Sequence, residues 1–421
     1  MTANQTADRP MPPLRDARPV LDPLSTRRLC IDLIAAEQDR LLRERRLSRR
    51  QHIERWVYCE REDALDRLEI GEDTLGFDSL ALIDLVGVIS RYFNLMDSGA
   101  EDLLLVHREL GQWVSIVAAH LDTVGGKARI GFETSGSTGN PKRVVHGFGV
   151  LEDEICDIRG AILGPAFAAG RILSAVPPRH IYGFLWSVLL PERAGQEAIA
   201  VHRAPDGAIA RLSRPGDIVL GTPYIWERAA IAGDRLPPGV TGITSAGPSS
   251  PATWQAARML GIERLVEVYG STETGGLGWR DAWDRPFALS GRVVRHGDDL
   301  RRRACGTILA VQDHLQWLDE NHFAVSGRRD DVVQVAGTNV SLGDVARCLR
   351  SIAGVAEVAV RLEDGRIRAL IVAAEATADT ETLEDALRAS AMRHLAAPAR
   401  PDRYTFAAAL PRTKLGKMAD W

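Results

Sequence analysis

Lysine is nearly missing from this chain. Of 52 basic residues only four are lysine, Lys127, Lys142, Lys414 and Lys417, and the other 48 are arginine. Where any positive charge will serve, the chain uses arginine. A retained lysine therefore marks a candidate place where a compact charge on a flexible stem is wanted rather than a planar fork. Cysteine is sparse as well. Cys30, Cys59, Cys156, Cys305 and Cys348 are odd in number, scattered and free of CxxC spacing. That pattern argues against a structural zinc site and fits a reducing compartment. No apolar run is long enough to span a bilayer. The opening stretch, MTANQTADRPMPPLRDARP, lacks the basic-then-apolar order of a secretion signal. A cytoplasmic protein is expected. The net charge of -4 offers no bulk attraction to nucleic acid or to an anionic membrane.

What is present is an ordinary globular composition, 45% apolar and 26% charged over 421 residues. At roughly 150 residues per domain, that length suggests two or three domains. Residues 1–21 read as a disordered, proline-rich leader. Residues 22–60 are rich in Leu, Ala, Arg and Glu at helical spacing. In GEDTLGFDSLALIDLVGVISRYF, Asp78 or Ser79 reads as an N-cap with apolar residues continuing at helical spacing. The GFDSL within it resembles the attachment serine of an acyl carrier protein, but a capped helix explains it and no four-helix module fits around it. From 134 to 326, short apolar strands (RILSAVP, DIVLGTP, GVTGITSAG, RLVEVYG) alternate with helical stretches. This predicts an α/β fold, a large domain over 22–326 with mainly parallel sheets and flanking helices. Near 327 the texture changes. A charged stretch leads into a strand-like one, an amphipathic helix, the two strands VAEVAVRL and RIRALIVA, and the helix ETLEDALRASAMRHL. Residues 327–421 are expected to form a small α+β domain.

One loop stands out. TSGSTGNPK, Thr134 to Lys142, is built of glycines, hydroxyls, a proline and one of the rare lysines. Glycines let backbone N–H groups approach an anion, and hydroxyls add donors. The loop suits a polyphosphate. It is not a GxxxxGK[ST] loop, because no Ser or Thr follows the lysine and Pro141 precedes it.

In this order, TSGSTGxPK resembles the phosphate loop of the adenylate-forming superfamily, which holds acyl-CoA ligases, aryl-acid ligases and peptide-synthetase adenylation domains. Further motifs follow in the family's order. The resemblance assigns nucleotide contacts to Thr134, Ser135, Gly136, Ser137, Thr138 and Gly139, with Lys142 acting on phosphate. TSAGP, with Ser245, Ala246 and Gly247, is similar to the family's adenine-binding turn. VYGSTETGG is similar to its YGxTE motif: Tyr269 lies near adenine, Gly270 and Ser271 follow, Thr272 contacts the α-phosphate, and Glu273 holds Mg²⁺. Few carboxylates plus phosphate oxygens is the donor set Mg²⁺ prefers. Asp313, fourteen residues before Gly327, stands where the family has the aspartate that binds ribose hydroxyls, although the TG that usually precedes it is Val311 and Gln312 here. Arg328 matches a nucleotide-binding arginine. Asp330 matches the hinge about which a mobile C-terminal lid turns. LPRTKLGKMADW resembles the terminal PRxxxGK motif, whose lysine, here Lys417, binds carboxylate and α-phosphate oxygens during adenylation. A lysine often found four residues after the hinge is Gln334 here.

The resemblance covers residues 128–421 and implies ATP and Mg²⁺, with CoA as co-substrate or a carrier protein as acceptor. In PPRHIYGFLWSVLLP, the resemblance assigns His180, Tyr182 and Gly183 to the acid pocket, together with Gly275 of VYGSTETGG. An aromatic-lined pocket suits a flat aryl acid, whereas Phe184 and Trp186 read as ordinary core. The short layout looks like compact bacterial 4-coumarate or hydroxybenzoate ligases. Related ATP-dependent diazotases, which activate nitrite toward an aryl amine, are the alternative. An arginine-rich composition suggests a GC-rich genome where secondary-metabolite pathways of that kind are common. A non-catalytic nucleotide-binding protein is the lesser one.

Overall fold

The computed structural model describes residues 19–44, 46–47, 52–53, 62–134, 142–164, 170–205, 207–329, 332–335, 338–374, 379–412, 418–419 and 421. It divides into two compact units. One comprises Met1–Ile155 and Pro177–Glu197; the other comprises Cys156–Val176 and Ala198–Trp421.

The first unit is mainly helical. Its leading helix, Pro23–Arg43, starts where the sequence requires: the Asp22 carboxylate accepts from the Ser25 N–H at 2.6 Å, and Pro23 follows with a φ already suited to a first helical turn. Helix Ser79–Phe93 is capped by Asp78, which accepts from Ala81 N–H at 2.8 Å, and it ends on Asn94 in the left-handed region. The GFDSL stretch is thus a helix start. Strands β1 (Arg129–Thr134) and β2 (Lys142–Gly147) pair antiparallel. An edge-to-face aromatic block joins Tyr92, Phe93, Phe132, Phe148 and Phe184. Phe184 and Trp186 are fully buried, as read from the sequence.

The second unit carries a nine-stranded sheet. Its strands are β3 (Ile172–Ser174), β4 (Ala198–Ala200), β5 (Ile218–Gly221), β6 (Thr241–Thr244), β7 (Arg264–Ser271), β8 (Gly275–Arg280), β9 (Phe287–Leu289), β13 (Asp313–Trp317) and β14 (His322–Arg328). Their order is β13-β14-β9-β8-β7-β6-β5-β3-β4. From β4 to β7 every pairing is parallel. Helices Pro223–Ile231 and Pro251–Leu260 form the crossovers on either side of β6, burying Trp226 and Trp254 against Leu173, Val219 and Leu265. β5 is buried along its length, as expected of a strand covered on both faces. The parallel part stops at β7. A connection of three residues leads to β8, far too short for a crossover, so β8 returns antiparallel and the rest of that edge follows suit. Strands β10 (Val293–His296), β11 (Asp299–Arg302) and β12 (Ile308–Leu309) form a separate antiparallel sheet.

The large sheet's chain leaves β14 at Arg328, and β15 (Val332–Val335) opens a hairpin with β16 (Thr338–Ser341). Helix Leu342–Arg350 is capped by the Ser341 hydroxyl. Strands β17 (Val355–Glu363) and β18 (Arg366–Ala373) pair antiparallel, and β19 (Arg403–Phe406) adds parallel to β18 after helix Thr380–His394. These elements have their own core of Val345, Leu349, Ile367, Ile371, Leu387 and Tyr404. No helix among the described residues is long and apolar enough to cross a membrane.

Candidate active site

The VYGSTETGG motif is the end of β7, a tight turn over 272–274, and the start of β8. Its geometry is fixed by glycine and by hydrogen bonds. A Cβ on Gly270 would lie 2.2 Å from the Gly275 carbonyl oxygen, so only glycine lets the strands close here. Ser271 and Thr274 bond reciprocally: Ser271 N–H donates to Thr274 Oγ1 at 3.1 Å, and Thr274 N–H donates to Ser271 Oγ at 3.3 Å. Thr274 is buried, and its carbonyl accepts from the buried Arg302 guanidinium at 3.0 Å. Arg292 donates to Gly276 O at 2.6 Å. Pinned on both flanks, the turn presents Thr272 and Glu273 half-buried at its tip.

Tyr269 is brought to a residue 44 positions away. Its hydroxyl donates to Asp313 Oδ2 at 2.6 Å, and its ring packs 5.5 Å from both Phe287 and Phe323. Asp313 opens β13 opposite Arg328 in β14. The sequence predicted roles for Tyr269 and Asp313 separately; the fold makes them one polar pair over an aromatic floor. The turn after β6 lies beside them in the sheet order. Ser245 Oγ donates to Val268 O at 2.8 Å, and Ala246 sits at φ +69°, a region L-residues seldom occupy. Gly247 is exposed.

Two residues of this region carry no motif signal. Glu267 is buried two positions before Tyr269; it accepts from Ser249 N–H at 3.0 Å and from Arg280 Nε at 2.6 Å. A charged residue inside the apolar run RLVEVYG was the visible clue. Arg280 itself stacks over the Phe287 ring at 4.5 Å.

In the other unit, Lys142 is the exposed first residue of β2, paired in register with Thr134. His180 precedes helix Ile181–Phe184, and Tyr182 is buried. Gly183 is held so closely that a Cβ would meet Pro177 O at 2.1 Å. The helix widens into a π turn over Leu185–Leu189 just before Pro191, which has no N–H to give and crowds the Ser187 carbonyl. The segment is tied down by Arg179, which meets the buried Asp32 carboxylate through its guanidinium at 2.9 and 3.1 Å and its backbone N–H at 3.3 Å. Neither partner was legible from sequence, since they stand 147 residues apart. Ser135, Gly136, Ser137, Thr138, Gly139, Asp330 and Lys417 lie outside the described residues, as do the side chains of Thr134, Arg328 and Gln334. Among the described cysteines, Cys30 is buried and its thiol is pushed up to about 12 by desolvation, which leaves it unreactive.

A nine-stranded α/β sheet, parallel from β4 to β7 and antiparallel beyond, with glycine-containing turns at the ends of β6 and β7 and a small α+β region after it, is the build of an adenylate-forming enzyme. Comparison with known sequences gives the same class. The pattern of the AMP-binding enzyme family matches residues 133–321, and that of the AMP-binding enzyme C-terminal domain matches residues 344–417. The chain is 46% identical to a 4-coumarate--CoA ligase of Cereibacter sphaeroides, over 97% of this chain and 99% of that protein. It is 40% identical to a 4-coumarate--CoA ligase of Rhodobacter capsulatus, over 84% and 91% respectively. The solved structure of a benzoate CoA ligase from Burkholderia xenovorans LB400 shares the fold, with a TM-score of 0.55 at 20% identity over 74% of this chain and 72% of that one. The chain belongs to the AMP-binding enzyme family and is an ATP-dependent, AMP-forming ligase of the acyl/aryl-CoA ligase type.

Proposed function

We propose that the enzyme activates an aryl carboxylic acid of the hydroxycinnamate or hydroxybenzoate type with MgATP and passes the acyl group to CoA. The observation that supports it most is the Tyr269–Asp313 pair, which joins the adenine and ribose positions of two separate motifs. Identity to 4-coumarate--CoA ligases over almost the whole chain supports the substrate class.

In this reading a carboxylate oxygen of the acid attacks the α-phosphorus of ATP, and the bond to the leaving pyrophosphate breaks. The thiol sulfur of CoA then attacks the acyl carbon, AMP departs, and the thiol proton is released to solvent. Thr134 to Gly139 and Lys142 receive the phosphates. Ser245, Ala246 and Gly247 border the adenine with Tyr269, while Asp313 and Arg328 hold the ribose side. Thr272 contacts the α-phosphate. Glu273, one half-buried carboxylate on a rigid turn, suits Mg²⁺, which takes few protein carboxylates and completes its shell with phosphate and water. The metal would neutralise phosphate charge. His180, Tyr182, Gly183 and Gly275 border the acid. Residues 327–421 act as a lid hinged at Asp330, and Lys417 brings positive charge to the pentacovalent α-phosphate when the lid closes.

The test is mass spectrometry of two reactions with MgATP. One contains hydroxycinnamic and hydroxybenzoic acids with CoA; the other contains their amino analogues with nitrite. AMP with an aryl-CoA product is expected. AMP with a diazo product, only where nitrite is present, would replace the ligase reading by a diazotase. Lys417→Ala is expected to abolish acid-dependent AMP formation at unchanged melting temperature, and retained activity removes that assignment.

A further inference from the structure

We propose that Glu267 is a positioning residue for the nucleotide base, setting the adenine-side turn through a single buried carboxylate. The inference rests on the reading that Ser245 to Gly247 and Tyr269 meet the adenine. Three observations converge on Glu267. Its side chain is almost fully buried in β7, where an unpartnered charge would not be tolerated. Its two oxygens have different duties: Oε1 accepts from Ser249 N–H at 3.0 Å, and Oε2 accepts from Arg280 Nε at 2.6 Å. The turn it grips contains Ala246 at φ +69°, and a non-glycine residue keeps such a conformation only when its surroundings impose it.

The carboxylate also reaches the other wall. Arg280 is held in turn by Trp283 O at 2.7 Å and lies over Phe287. Phe287 stacks on Phe323, and both rings pack against Tyr269. One side chain therefore couples the 245–249 turn to the aromatic floor beneath Tyr269. A second tie, Ser245 Oγ to Val268 O, holds only the start of the turn. Glu267 touches no substrate position; it acts through the turn it holds. Its loss is expected to blur recognition of the base, not of the phosphates.

The measurement is titration calorimetry of ATP and of GTP, each with Mg²⁺, to the full-length protein. In the unaltered protein ATP is expected to bind more tightly than GTP. Glu267→Gln is expected to weaken ATP about tenfold or more and to lower the preference over GTP by a similar factor, with tripolyphosphate binding unchanged. Where the single variant fails to fold, Glu267→Gln with Arg280→Gln removes both buried charges and is expected to give the same loss. A folded variant, single or double, with a lowered melting temperature but an unaltered ATP-to-GTP preference overturns the proposal. Tyr269→Ala separates the two layers of the argument. If it leaves the preference intact, the adenine reading fails; if it removes the preference while the Glu267 variants keep it, only the positioning role fails.

Discussion

The Gly270–Gly276 turn and the Arg179–Trp186 segment solve one problem by opposite means. Each holds a short stretch of backbone in a fixed place, and each contains a glycine with no room for a Cβ, Gly270 against Gly275 O and Gly183 against Pro177 O. The turn is fixed by polar contacts: the Ser271–Thr274 exchange, Arg302 on Thr274 O and Arg292 on Gly276 O. The segment is fixed by apolar burial of Ile181, Phe184, Leu185 and Trp186, with one ion pair, Arg179 to Asp32, at its entry. On the proposed function, directional bonds suit a turn that is to present Thr272 and Glu273 to phosphate oxygens, and non-directional packing suits the border of an apolar acid pocket. The difference teaches that the two halves of the proposed chemistry will fail differently when disturbed.

The largest effect is expected at Gly270. Gly270→Ala must displace the Gly275 carbonyl, a backbone atom that cannot step aside cheaply. Acid-dependent AMP formation is expected to drop about a hundredfold or more, with stability falling by about 1–3 kcal/mol; melting curves and single-turnover assays read both. A near-normal rate would mean that the turn is not held as tightly as its bonds suggest. Next comes Asp32→Asn, which leaves Arg179 without its carboxylate. A loss of about 3 kcal/mol is expected by denaturant titration, with a raised KM for the acid and little change for ATP. Equal changes for both substrates would break the contrast between the two regions. The smallest effect concerns His120, a buried polar residue of the helical unit. It shares hydrogen bonds with Ser98 Oγ at 2.7 Å and Phe93 O at 3.0 Å. Burial holds its pKa below the ordinary value. Over the interval between the folded and unfolded pKa the unfolded chain binds more protons, so stability is whole above about pH 6.5 and declines as pH falls beneath it. His120→Gln is expected to flatten the decline in melting temperature as pH falls below about 6.5. An unchanged slope would remove His120 from that pH response.

The strand-and-turn setting of TSAGP and VYGSTETGG could be read in advance because its signals are local. TSAGP and VYGSTETGG combine a strand end with residues that only a turn tolerates, and the structure places both at strand ends of one sheet. Asp78 as an N-cap and the strands VAEVAVRL and RIRALIVA were legible for the same reason: capping and alternation are written over a few adjacent residues. The antiparallel half of the sheet was not read, since strand direction depends on how far a connection reaches in space. Nor was Asp32, whose helix gives no hint that one buried position will meet Arg179.

The sequence by itself determined the class of enzyme, the strand-and-turn settings of TSAGP and VYGSTETGG and the places where helices begin. Tertiary structure alone decided that Tyr269 meets Asp313, that Glu267 grips Ser249 and Arg280, and that Asp32 anchors the segment before His180. The physical reason is range. Propensity, capping and glycine tolerance act between near neighbours along the chain, whereas a buried charge takes whichever partner the packed fold delivers, and its stability depends on that partner being there.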